Sequence, residues 1–258
     1  MEKIDGEWII HGMDWDEPGC IHTAEELLEV IERVGFLPLF SNDVPGFSVE
    51  NLTDPTCWWC GDERVDPWEW RVTLSRTGKV AYGKFFGRKA GFVAKKWFPD
   101  FANFRRDGYD FDARFDDGRA ELREKRIMDQ LWPKHLELQD INKKNLEKEV
   151  ADPVLYSFEL KERAGFGKGG EKNFDGVCAK LQMETYLVAK DFLPRVNKDG
   201  EAYGWAIARY TLPEYLWGYG FVTGRYGEAP EKSRARIVAH LLKQFDVDEK
   251  AILKIIKK

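Results

Sequence analysis

Apolar residues in this chain recur at helical spacing in some stretches and alternate in others, and the change of period marks out its elements. Leu27, Ile31 and Val34 fall on one face of a helix. Thr23-Ala24-Glu25-Glu26 before them has the form of a capping box, and Gly35 supplies a stop. An apolar run, Phe36-Leu37-Pro38-Leu39-Phe40, then enters a loop that passes Pro45, Pro55 and Pro67 and carries Trp58, Trp59, Trp68 and Trp70. Val72 and Leu74, then Val80 and Tyr82, flank Thr77-Gly78 and predict a β-hairpin between Arg71 and Phe86. Helices are predicted over Ala120 to Trp132, ended by Pro133, and over Val154 to Ala164. A third starts at Asn173, a natural cap, and places Phe174, Val177, Cys178 and Leu181 on one stripe. Two strands, Tyr186 to Phe192 and Tyr203 to Tyr210, flank the turn sequence Asn197-Lys198-Asp199-Gly200. Charged helices from Glu231 to Phe245 and from Asp248 to Lys258 close the chain.

Helix, helix, helix, strand, turn, strand is the order of a winged-helix unit, in which the third helix reads a groove and the hairpin touches backbone. Other small α+β modules share that order, so both readings stay open. The pattern predicts an α+β fold, predominantly helical. It divides into an acidic and aromatic part over residues 1–117 and a winged-helix-like part over 118–258, with one compact domain as the alternative.

With 258 residues, 43% of them hydrophobic and 14% aromatic, the chain can bury a substantial core. No apolar run reaches membrane-spanning length, and Met1 to Glu7 lacks the basic-then-apolar plan of a signal peptide, so a soluble cytoplasmic protein is expected. Four cysteines are too few for a secreted disulfide scaffold.

The net charge of −5 argues against a polyanionic partner until it is divided along the chain. Residues 1 to 70 hold 3 Lys and Arg against 17 Asp and Glu, whereas residues 71 to 150 hold 19 against 13. Between Lys79 and Lys96 there is no acid, and Lys79, Lys84, Arg88, Lys89, Lys95 and Lys96 alternate with Tyr82, Phe85, Phe86 and Phe92. Together with Arg71 and Arg105-Arg106, this stretch is the candidate phosphate-binding face. Simple solvation of a mixed surface is the competing account.

Cys57-Trp58-Trp59-Cys60 has the spacing of half a zinc site, but no second half follows, so ordinary thiols and no metal are expected. Gly165-Phe166-Gly167-Lys168-Gly169-Gly170 matches a dinucleotide fingerprint in letters only, since it follows a helix and not a strand. No cofactor is therefore implied, although the loop could lay N–H groups on a phosphate beside Lys168 and Lys172, with Lys198 at the wing turn. Trp58, Trp59, Trp68, Trp70 and Tyr82, with Glu69 and Arg71, form either a core corner or a stacking pocket for a base. The histidines, His11, His22, His135 and His240, are scattered and group with no nucleophile.

Arg33-Val34-Gly35-Phe36-Leu37, the Leu39-Phe40-Ser41 that follows, the stretch from Trp68 to Arg71, and the late helix and hairpin ending at Tyr210 together resemble the AlkZ (YcaQ) type of DNA glycosylase. The resemblance extends over residues 23 to 215. It implies tandem winged-helix-like units with β-hairpin wings, duplex DNA as partner, and a role in DNA repair. In that family a Gln-x-Gln or Gln-x-Asp pair after the early helix positions the attacking water. Here that stretch is Leu37-Pro38-Leu39-Phe40, which offers no amide, so a divergent member with altered or lost base excision is expected. The catalytic residue is unknown, and Glu69 is the one carboxylate put forward. A non-catalytic regulator or protein-interaction module, whose acidic front meets a protein or folds back on the basic face, is the alternative. Sensing of a small ligand by the tryptophans is the third.

Overall fold

The computed structural model describes residues 2–4, 6–131 and 154–257. The chain is a mixed α/β protein that divides into two compact units, residues 1–98 with 234–258, and residues 99–233. The expected boundary between residues 117 and 118 falls within the second unit.

The first unit opens with two short antiparallel strands, β1 (Glu2–Ile4) and β2 (Glu7–Ile9), and then the early helix α1 (Ala24–Val34). The Thr23 hydroxyl accepts the Glu26 N–H, as a capping box requires, but the Glu26 carboxylate takes the N–H of His22 in place of that of Thr23. Leu27 and Ile31 are fully buried, and Gly35 closes the helix at φ +88°. Strand β3 (Phe36–Pro38) follows directly. The next element departs from expectation, because Pro67–Arg76 is helix α2 and not the first arm of a hairpin. Its start is fixed by Asp66, whose carboxylate accepts the Trp68 N–H, and by Pro67 in the first turn, where a missing N–H costs nothing.

The hairpin lies further on, between β4 (Val80–Phe86) and β5 (Lys89–Ala94). Its two turn residues, Gly87 and Arg88, have φ of +57° and +67°, which is the backbone of the tight turn whose twist matches the strands. Strand β3 pairs antiparallel with β5, with Pro38 opposite Gly91. A methyl group on Gly91 would sit 2.6 Å from the Leu37 carbonyl oxygen, so glycine is what permits this approach.

The second unit begins with α3 (Phe98–Arg106), α4 (Phe111–Asp116) and α5 (Leu122–Leu131). After the segment 132–153 come the two-residue strand β6 (Leu155–Tyr156), α6 (Ser157–Arg163) and α7 (Phe174–Met183). The helix expected over Ala120 to Trp132 is α5, and its end at Trp132 and the stop at Pro133 lie outside the described residues. Asn173 does occupy the cap position of α7, but at φ +65° and without a side-chain bond to the helix. The long hairpin of β7 (Val188–Val196) and β8 (Ala202–Thr211) turns through Asn197 to Gly200, and β6 pairs antiparallel with β8. Its core joins Ile127, Leu131, Leu155, Leu160, Phe174, Val177, Leu181 and Leu187. Short helices α8 (Pro213–Trp217) and α9 (Tyr219–Val222) follow; α10 (Pro230–Leu241) then carries the chain from the second unit into the first, to which α11 (Glu249–Ile256), with Ile252 and Ile256 fully buried, belongs.

Candidate functional site

The side chains proposed from sequence separate into an exposed set and a buried set. Lys79, Lys84, Arg88, Lys89, Lys95 and Lys96 are all exposed, and they ride on the β4–β5 hairpin or the residues that flank it. The strands between them hold Tyr82, Phe85, Phe86 and Phe92 inward, so the aromatic residues anchor the hairpin and the cations remain on its outside. Tyr82 packs on Phe92 at 5.0 Å between ring centroids, and burial pushes its hydroxyl up to about 12 against the pull of Arg71.

Arg71, Arg105 and Arg106 belong to the buried set and are thereby taken off the phosphate-binding face. The Arg71 guanidinium lies 4.0 Å from the centre of the Trp68 ring. Burial lowers its pKa, opposed by Tyr82, Glu69 and Asp66. Arg105 donates to the Met183 carbonyl at 3.0 Å and lies over Phe101. Arg106 donates to Glu214 at 2.5 Å, to the Thr185 carbonyl at 2.6 Å and to the Tyr226 hydroxyl at 3.1 Å. Burial alone would lower its pKa, but Glu214, Tyr226 and Tyr186 outweigh it and the net shift is upward. A guanidinium with this many internal acceptors organises its own unit's core and has no reach to solvent.

The tryptophan cluster divides in the same way. Trp70 is fully buried and Trp58 nearly so, each with its indole N–H bonded internally, to the Arg64 carbonyl and to Thr53 respectively. These two, with Tyr82, are core. Trp59 is 45% exposed and Trp68 half-buried, with ring centroids 6.4 Å apart. Sequence reasoning missed the residue that sets them: the buried Asp66 carboxylate accepts the N–H groups of Trp59 at 3.1 Å, Gly61 at 3.1 Å and Trp68 at 2.9 Å. That clamp holds Trp59 at φ +60°, an unfavourable backbone for an aromatic residue, with its ring outward. Glu69 is half-buried in the first turn of α2 beside this pair.

A cavity of about 420 Å³ lies beside Pro38 and Phe40. Pro38, Phe40 and Phe86 give it an apolar lining, and Asn42, Asp43, Lys89, Lys254 and Lys257 a polar one. The Lys254 ammonium bonds to Asp43 and holds that carboxyl below its usual value.

Elsewhere in the second unit Lys168, Lys172 and Lys198 are exposed. The glycine-rich loop closes on itself, with the Gly167 N–H bonded to Glu171 and the Glu171 N–H to Gly165. On the outer face of α7 the cation Lys180 is engaged by Glu124. Cys57, Cys60, Cys20 and Cys178 are thiols that form no disulfide. Among the described residues no three His, Cys, Asp or Glu side chains group in a way that could hold a metal ion.

A two-unit α/β protein in which each unit carries helices and an antiparallel hairpin, the first hairpin studded with cations, is the class that these features define. The AlkZ-related family model matches residues 21–257, and the chain belongs to that family. No curated protein and no solved structure matches it.

Proposed function

We propose that this protein binds duplex DNA through tandem winged-helix-like units, in DNA repair or protection, and that it does not excise bases by its family's usual route. The observation that carries the reading is the β4–β5 hairpin, where six cations stand exposed with no acid in the same stretch.

The strand order supports the winged-helix account. In the first unit helix α1, strand β3, helix α2 and hairpin β4–β5 follow one another, and β3 pairs with the second hairpin arm. Among the described residues of the second unit the order is α5, β6, α6, α7 and hairpin β7–β8, and β6 likewise pairs with the second arm. A short strand after the first helix that returns to the outside of a later hairpin is what distinguishes this module from a generic helix-and-hairpin arrangement.

Pro38 and Phe40 stand where an amide pair would align water, and neither offers a donor or acceptor side chain. Glu69 is the carboxylate we keep for any excision. Glu69→Ala is expected to abolish release of an alkylated base while sparing duplex binding, and an unchanged release rate removes Glu69 from the account. Binding itself is tested by titration against plain and alkylated duplex at two salt concentrations, with base release assayed in the same samples. A non-catalytic protein-interaction role predicts no salt-sensitive duplex binding.

A further inference from the structure

Phe158, Val196 and Tyr203 are 38%, 59% and 51% exposed, among the most exposed large apolar side chains of the described residues. They are gathered at one place, a cavity of about 470 Å³ in the second unit that Tyr156 and Arg195 also line. That volume falls within the usual range of small-ligand pockets, about 300–1,000 Å³. Isolated exposed apolar side chains are ordinary, but a convergent group of them marks a binding surface.

The pocket is built and not merely open. The Tyr156 and Phe158 rings are stacked, with centroids 5.2 Å apart and planes at 24°. Tyr156 is fixed at both ends, its hydroxyl donating to the Pro194 carbonyl and its N–H to the Glu159 carboxylate. The Arg195 guanidinium lies 4.8 Å from the centre of the Phe158 ring. Arg209 reaches over Tyr156 but is held in two bonds of 2.7 Å by Asp191.

We propose that this pocket stacks an unpaired nucleobase of single-stranded DNA, an inference that rests on the DNA-binding reading above. Stacked rings with an arginine plane among them form the surface on which bases stack without regard to sequence. Arg195 already places positive charge on the ring face, which selects against a cationic ligand and for one that brings phosphate. Lys198, exposed at the neighbouring turn, adds a second cation on the path of the backbone. Of the acids nearby, Glu159 and Asp191 are bonded internally and Glu201 is held by Asn197, while Asp199 at the turn and the exposed Glu162, one helical turn from Phe158 on α6, are the opposing charges.

The test compares labelled oligothymidylate, the same strand made abasic, and a mixed-sequence duplex, each titrated against the full chain. The wild type is expected to prefer the base-bearing strand over the abasic one. Phe158→Ala with Tyr203→Ala is expected to weaken that strand by roughly 5- to 150-fold, the range for loss of base stacking, with duplex affinity unchanged. Both positions are surface-exposed, and a thermal melt checks that the variant folds. Arg195→Gln, which keeps the rings, is expected to weaken the strand and to make its binding less salt-dependent. Equal affinity for the base-bearing and abasic strands, or a double variant that binds as the wild type does, overturns the proposal. If duplex binding persists in either case, the DNA reading stands without this pocket. Absence of binding to all three nucleic acids overturns both.

Discussion

Arg106 and Glu214, 108 positions apart in sequence, meet in a 2.5 Å ion pair at which both side chains are almost wholly buried. Removing one partner of such a pair leaves an uncompensated charge in the interior, at a cost of about 3–5 kcal/mol. Glu214→Ala is therefore expected to lower the denaturant midpoint sharply. The same variant, assayed under conditions where it remains folded, should bind duplex DNA as the wild type does, because Arg106 faces protein and not phosphate.

His240 stacks on Trp97 at 4.4 Å between ring centroids and bonds to the Val34 carbonyl at 2.9 Å. Burial is the first cause that lowers its pKa from 6.5, helped by Lys96 and Lys243 and opposed by the carbonyls of Val34 and Arg33. Between the lowered folded value and 6.5 the unfolded chain binds more protons than the folded one, so stability rises with pH across that window. His240's contribution is present above 6.5 and is lost as pH falls through the folded value. Urea melts between neutral pH and the acid side of that window should show the slope, and His240→Gln should flatten it.

Arg88 holds a left-handed backbone at φ +67° in the hairpin turn. A non-glycine residue there carries strain of about 1–2 kcal/mol, which glycine relieves, although its larger unfolded-state entropy offsets part of that gain. Arg88→Gly should leave stability unchanged or raise it by up to about 1 kcal/mol in a thermal melt. In DNA titrations the same change should reduce the slope of log K against log salt by about 1, the loss of one phosphate contact. Stability and binding thus move in opposite directions.

Much of the second unit was legible in sequence because its signals are local. The spacing of Phe174, Val177, Cys178 and Leu181 gives helix α7, and Asn197 to Gly200 gives the turn between β7 and β8. Helix α2 was missed because Val72 and Leu74 alternate like a strand, while the better signal, the Asp66-Pro67 start, stood just upstream. The fates of Arg105 and Arg106 were not legible, since their acceptors come from residues about eighty and more positions away. The exposed cations of the hairpin were legible as a basic run but not as a surface. The Asp66 clamp on Trp59 required three backbone N–H groups to converge, which spacing alone does not show.

The most direct test of the central claim is a duplex DNA titration, over a range of salt, of the wild type and of a variant with Lys79, Lys84, Arg88, Lys89, Lys95 and Lys96 all changed to Gln. The account predicts wild-type binding that weakens steeply with salt, at a slope of about −0.9 for each phosphate neutralised, and a variant that has lost most of both affinity and slope. A variant that binds with wild-type affinity and salt dependence, or a wild type that binds no duplex, would contradict it.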